Sequence, residues 1–242
     1  MRLCLIPLRT KLRQPAANLE HLKARLAEAS PARPDLVCLP ECTLTGYLYE
    51  EEDVRLYAEP VPGPVTAQMW DLARAHQVHL CFGLIEQSEA GVYDTAVLLD
   101  RTGRVTLIHR KSNERPPYAA GTSTEVADTE LGRLGVLICG DLFDVAAVQR
   151  LDPRLALLLV PMSRSFSGLS PALRRWEAEE RQAYLDAVRG SGCRAALVNA
   201  LEEGTEDRSF GGAMVVSACG ELLAESPHGT DTILIWDLEE PV

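Results

Sequence analysis

No apolar stretch in this sequence is long enough to cross a bilayer. The longest strongly apolar run, Leu155 to Met162, falls far short of the roughly 20 residues a spanning helix needs. The N-terminal Met1-Arg2-Leu3-Cys4-Leu5-Ile6 lacks a full signal-peptide core and meets Pro7 at once, so a cytoplasmic protein is expected. Positive charge is also scarce: 24 Lys and Arg face 35 Asp and Glu, a net charge of -11. A surface this acidic repels nucleic acid and anionic lipid, which excludes both as the main partner. No CxxC pair, HExxH, GxSxG or GxxxxGK occurs, so zinc-knuckle, zinc-protease, serine-hydrolase and P-loop chemistry have no support. His76 and His79 stand three apart without a third ligand and read as surface or packing histidines. Gly190 to Ala195 matches GxGxxA but follows a helix and precedes a strand, the reverse of a dinucleotide site. Seven cysteines, an odd number lying mostly inside apolar runs, read as buried free thiols, not a disulfide framework.

What is present is a globular composition. Apolar residues make up 46% of 242 residues, and no linker or low-complexity tract divides them, so residues 1–242 read as a single domain. The acidic Glu50-Glu51-Glu52-Asp53 reads as a solvated loop. Val, Leu and Ile runs punctuated by Pro and Gly predict strands at 2–6, 36–39, 79–85, 95–100 and 105–110 in the first half. In the second half they predict strands at 134–139, 155–160, 195–200, 213–218, 221–225 and 232–237. Helices are expected at 15–29, 64–76, 144–151 and 171–189, the last capped by Ser170, entered at Pro171 and ended by Gly190. The order strand, helix, strand, helix, then several strands occurs twice. Helices between early strands imply crossovers, and turns at Glu89-Ala90-Gly91 and Arg101-Thr102-Gly103 imply hairpins. Two such half-sheets, each shielded by helices on one side, would stack their free faces. The expected fold is mixed α/β, a four-layer α-β-β-α sandwich with an internal pseudo-twofold; an ordinary three-layer α/β sheet is the alternative.

Three strand ends carry chemistry. Leu36-Val37-Cys38-Leu39 runs into Pro40-Glu41, strand 105–110 ends in His109-Arg110-Lys111, and Leu134 to Ile138 ends in Cys139-Gly140-Asp141. Reactive groups gather where strands end and loops begin. A thiol with its ordinary pKa of about 8.5 needs a base or a cation nearby to become a nucleophile. Singly, Cys139 is a packing thiol, Glu41 a carboxylate bonding loop amides and Lys111 a solvated cation. Together they supply attack, proton acceptance and stabilisation of an oxyanion, the three needs of attack on a carbonyl. A Cys–His pair of Cys139 with His228 is the rival, though nothing ties the two together.

These segments resemble the motifs of the nitrilase, or carbon–nitrogen hydrolase, superfamily. Leu39-Pro40-Glu41-Cys42-Thr43-Leu44-Thr45-Gly46-Tyr47 is similar to its glutamate motif, His109-Arg110-Lys111 to its lysine motif, and Gly135 to Phe143 to its cysteine motif, in the same order. Weaker echoes are Asn18-Leu19-Glu20, Tyr93-Asp94-Thr95-Ala96, Trp176 and Phe210-Gly211-Gly212. The family's α-β-β-α fold matches the doubled pattern above.

The resemblance implies Cys139 as nucleophile, Glu41 as general base, and Lys111 with the Gly140 backbone N–H as stabilisers of the tetrahedral intermediate. It implies Glu114 as a second active-site glutamate, and hydrolysis of a small non-peptide amide or carbamoyl compound through a thioester, amidase-like more than nitrile-cleaving. No metal and no organic cofactor are implied, and a homodimer is expected, although the tail Glu239-Glu240-Pro241-Val242 is short for tying one. A poised thiolate at Cys139 should label faster than the six other thiols. The sequence also departs from the family pattern. The gap from Lys111 to Glu114 is short, Gly140 replaces a common aromatic, and Asp144 stands where Pro is common. Pro161-Met162-Ser163-Arg164 brings an arginine toward the pocket, either to pair a substrate carboxylate or as a plain surface residue. The alternatives to an amidase are a binding or regulatory protein with an impaired pocket and a glutaminase-type supplier of ammonia.

Overall fold

The Val, Leu and Ile runs form two six-stranded sheets. The computed structural model describes residues 1–165, 173–203 and 208–238. The first half supplies β1 (Arg2–Leu5), β2 (Arg9–Lys11), β3 (Leu36–Cys38), β4 (His79–Ser88), β5 (Gly91–Leu99) and β6 (Val105–Arg110). The second supplies β7 (Val126–Thr129), β8 (Gly132–Val136), β9 (Leu157–Met162), β10 (Ala195–Asn199), β11 (Leu201–Glu203), β12 (Ala213–Val216), β13 (Leu222–Ser226) and β14 (Leu234–Asp237). One sheet has the order β14-β1-β3-β4-β5-β6 and the other β13-β12-β10-β9-β8-β7. In each, three parallel strands (β1, β3, β4 and β8, β9, β10) continue into antiparallel ones. The pseudo-twofold is therefore real at the level of strand order, β1 answering to β8 and β3 to β9.

Helices cover the outer faces. They are α1 (Pro15–Ala29), α2 (Glu51–Tyr57), α3 (Pro64–His76), α4 (Val145–Gln149), α5 (Leu173–Arg175) and α6 (Arg181–Ser191). A π-helical stretch, Trp176–Glu180, joins the last two. Leu22, Leu26 and Met69 seal the first sheet from outside, and Trp176, Tyr184 and Val188 seal the second. The alternate residues Leu3, Leu5, Leu36 and Leu98 of one sheet face Leu134, Val136, Leu157 and Leu159 of the other. Each of these fully buried leucines contributes roughly 2 kcal/mol. Truncating Leu159, with no exposed surface, to Ala would cost about 3 kcal/mol. The four-layer sandwich stands, and the three-layer alternative falls.

Several expectations need correction. The acidic stretch is not a loop: Glu51, Glu52 and Asp53 form the first turn of α2, where their charge suits the positive helix end. The helix expected over 171–189 with Gly190 as its stop runs two residues further, to Ser191, and Gly192 ends it at φ 66. Ser170 and Pro171 lie outside the described residues. The last strand leaves its own half and pairs antiparallel with β1, while β7, which sequence reading missed, fills the matching place beside β8. The short β2 and β11 pair with each other and tie the halves together. All seven cysteines are free, but Cys219 is exposed and Cys139 partly so. Among the described residues no helix is long and apolar enough to cross a membrane.

Candidate active site

Glu41 is positioned by backbone approach. The chain leaving β3 lies directly on β4 at Gly83, where a Cβ would stand 2.5 Å from Cys42 N and 2.8 Å from Glu41 Cα. Only glycine permits that contact. Thr43 Oγ1 donates to Pro40 O at 2.6 Å and accepts the Gly83 N–H at 3.2 Å, pinning the turn. Lys111 follows β6. Its N–H donates to Asp94 O at 2.9 Å, and its carbonyl accepts Gly121 N–H at 2.7 Å as the shortened loop returns. A Cβ on Gly121 would lie 2.0 Å from Arg110 O, so the pruned loop closes only over a glycine. Cys139 opens the 3-10 turn Cys139–Phe143 after β8, at φ 45. A non-glycine residue in the left-handed region costs on the order of 1 kcal/mol and marks a site held by its surroundings.

The side chains converge on the Lys111 ammonium. Lys111 Nζ donates to Glu41 Oε1 at 2.7 Å and Glu114 Oε1 at 2.6 Å, and lies 3.3 Å from Asp94 Oδ2 outside hydrogen-bonding geometry. The three carboxylates lie within 4.8 Å of one another, a spacing that would suit a metal ion, and the ammonium supplies the positive charge among them. Tyr47 Oη donates to Glu114 Oε1 at 2.9 Å, and its ring faces Nζ at 5.0 Å. Glu41 Oε2 accepts the Ser163 N–H at 2.6 Å. Burial works against the Lys111 charge, but the acidic groups around it, Glu41 first, outweigh it and hold the ammonium well above the ordinary lysine range. Burial pushes the Cys139 thiol up and Glu41 adds to this, while Lys111 and the Ser163 N–H pull it down, leaving it net raised.

A second pair locks these loops together. Asp141, fully buried, takes His109 Nε2 at 2.8 Å and Ile138 N–H at 3.2 Å on Oδ2. Its Oδ1 accepts Ser112 N–H, Ser112 Oγ–H and Asn113 N–H, each at 2.9 Å. One carboxylate therefore fixes the loop after Lys111 to the turn that carries Cys139. Burial raises the Asp141 pKa, but the His109 hydrogen bond and the backbone donors win and hold it low.

Lys111, Cys139 and Gly140 open together onto a cleft of about 490 Å³, walled by Asn113, Phe143, Arg164, Glu180, Ala183 and Tyr184. A larger cavity of about 560 Å³ opens elsewhere, at Met1, Arg154 and Leu238, with none of these groups. Arg164 lies on the cleft wall, but its guanidinium makes two bonds to Glu180, at 2.9 and 2.7 Å. It is neither a plain surface arginine nor an uncommitted carboxylate anchor. Glu114, placed in doubt by the short gap, reaches Lys111 all the same. His228, the rival base, stacks on Trp176 at 4.1 Å and pairs with Glu225 at 3.3 Å.

Sequence reading missed Asp94, Ser163 and Glu202 as parts of this centre. Asp94 sits in the Tyr93 to Ala96 echo, which could have flagged it. Glu202, on β11, accepts Tyr47 N–H at 2.9 Å, Ser163 Oγ–H at 3.2 Å and Ser209 N–H at 3.1 Å, and nothing in its local sequence signals that role.

The family model for carbon-nitrogen hydrolase matches residues 2–241. The chain belongs to the carbon–nitrogen hydrolase family. Omega-amidase NIT2 of Bos taurus is 27% identical over 239 residues, covering 90% of this chain and 81% of that one. The NitN amidase from Neterenkonia sp. AN1 has a TM-score of 0.78 at 22% identity, covering 99% of this chain and 93% of that one. Saccharomyces cerevisiae Nit3, a member of branch 10 of the nitrilase superfamily, reaches a TM-score of 0.82 at 19% identity, covering 98% and 89%. The chain is a carbon–nitrogen hydrolase, as the resemblance implied.

Proposed function

We propose that this carbon–nitrogen hydrolase cleaves a small non-peptide amide or carbamoyl C–N bond through a cysteine thioester. The observation that carries the reading is the 2.7 Å contact between Glu41 and Lys111 at the edge of the cleft into which Cys139 opens. Glu41 takes the Cys139 proton as Sγ attacks the carbonyl carbon. The resulting oxyanion meets the Lys111 ammonium and the Gly140 N–H. The tetrahedral adduct expels ammonia or an amine, which leaves with the proton returned by Glu41, and a thioester remains. Water then gives a proton to Glu41 and attacks the thioester. The acid departs and Sγ recovers its proton. Glu114 holds Lys111 beside Glu41 and is the second carboxylate for the leaving nitrogen.

The bovine relative's name, an omega-amidase, favours substrates with a terminal amide. A substrate carboxylate would reach Arg164 by exchange with Glu180. Residues 1–242 act as one catalytic unit in this reading, because the site draws on both sheets, and a homodimer is its expected assembly. The test is a panel of short amides, ω-amides and carbamoyl amino acids, scored for ammonia release and by intact mass. An acyl adduct on Cys139, formed with loss of ammonia and absent from Cys139→Ala, supports the reading. Release of ammonia that survives Cys139→Ala rejects it.

A further inference from the structure

Three buried carboxylates around one ammonium cannot all be equally served. Glu41 receives Lys111 Nζ at 2.7 Å and Ser163 N–H at 2.6 Å. Glu114 receives Lys111 Nζ at 2.6 Å and Tyr47 Oη–H at 2.9 Å. Asp94, whose side chain has no exposed surface, has only the weak Cys42 thiol, at 3.9 Å, on Oδ1. Its Oδ2 has no donor at proper geometry, and Nζ passes it at 3.3 Å. A buried carboxylate oxygen without donors is costly, and a proton on it removes the cost. Where like charges crowd one site, the least-solvated member keeps the proton.

We propose that Asp94 is a positioning residue that stays protonated in the working enzyme and gives its O–H to Glu41. A carboxyl oxygen of Asp94, on β5, lies within 4.8 Å of one from Glu41, which follows β3. Of the titratable groups facing Asp94, Glu41 and Glu114 disfavour a third anion there, while Cys42, Tyr47, Tyr118 and Cys139 bring no positive charge. Lys111 alone among them favours an anion, and it is already shared by two carboxylates. Burial, then Glu41, raises the Asp94 pKa well above the ordinary range, in agreement with this geometry. The held proton leaves the cluster with a single net negative charge and fixes the Glu41 oxygen that must face Cys139.

The inference rests on Glu41 as the base, but its first test does not depend on activity. Infrared spectra of the wild-type chain and Asp94→Asn are compared at neutral pH. The difference should show one protonated-carboxyl C=O band, present in the wild type and absent from the variant. Asp94→Asn keeps the shape and a donor, so it should recover turnover relative to Asp94→Ala and keep the wild-type pH profile. Asp94→Ala should lose at least about tenfold in kcat with little change in KM. If Asp94→Asn fails to fold, the wild type with carbon-13 at its aspartate carboxyls decides: one carboxyl carbon should sit at a protonated shift and not titrate across neutral pH. Absence of the protonated signal overturns the inference, as does an Asp94→Asn enzyme with a displaced acid limb. A chain that shows the band but hydrolyses no amide would reject the proposed function and leave this assignment standing.

Discussion

Ser163 donates its backbone N–H to Glu41 Oε2 at 2.6 Å, across the junction of the two sheets. Glu41 follows β3 and Ser163 follows β9, and these are equivalent strands of the pseudo-twofold. The centre is therefore built on the axis of the doubled fold, with one half supplying the acid and the other the donor that orients it. Ser163 is held in turn by Glu202 at 3.2 Å and Ser209 at 2.7 Å.

Removing the nucleophile should separate chemistry from folding. Cys139→Ala should lower turnover by at least about 10³-fold. Thermal melting should show little loss, because the change removes one partly exposed sulfur at the edge of the core. Retained turnover would exclude Cys139 from the reaction.

Glu41→Gln keeps volume but cannot accept the thiol proton. Turnover should fall by about 10²- to 10⁴-fold, the range for removal of a general base. Alkylation of Cys139 by iodoacetamide should slow in the same variant. Cys219, exposed and remote, should label at an unchanged rate. Peptide mapping by mass spectrometry reads both rates.

Asp141→Ala should cost both structure and rate. It strips the partners of His109 Nε2 and the amides of Ser112, Asn113 and Ile138, around a carboxylate that has no exposed surface. A loss of about 3 kcal/mol in denaturant unfolding is expected for an uncompensated buried network. Because the loops of Lys111 and Cys139 then separate, kcat should fall more than KM rises.

His228 makes stability depend on pH. Burial is the main reason that its pKa is lowered to about 4, with Arg181 adding and Glu225 opposing. The unfolded chain takes up this proton near pH 6.5, the folded chain only near 4, so stability falls as pH drops through that window. The fall amounts to about 3 kcal/mol. In His228→Phe, urea unfolding should show a flatter pH dependence between these limits. An unchanged slope would mean that another group titrates there.

The Arg164–Glu180 pair lines the cleft beside Cys139. In a double-mutant cycle with Ala at each position, a coupling of about 1 kcal/mol is expected for a half-buried, two-bond pair. Arg164→Met should raise KM for amides bearing a carboxylate and leave neutral amides unchanged if the guanidinium serves substrate by exchange. Equal effects on both classes would assign the pair to structure alone.

Much of this was legible along the chain. Apolar runs separated by Pro and Gly marked most strands, because burial on both faces demands continuous Val, Leu and Ile. Glu41, Lys111 and Cys139 were legible because each ends such a run. Gly83 and Gly121, by contrast, carry no local sign of their role. The need for a bare Cα arises only when β4 meets the Glu41 turn and when the returning loop meets Arg110.

The sequence by itself determined the doubled order of strands and helices and the residue types at their ends, since periodicity and strand-breaking chemistry are local properties. Tertiary structure alone decided that β14 crosses to the other half, that Arg164 is claimed by Glu180, and that Asp94 and Ser163 belong to the centre. Each of those facts depends on groups far apart in the chain meeting at a few ångströms, where one donor more or less sets which carboxyl carries charge. No local pattern encodes such distances. They follow from how two packed sheets fix their loops against each other.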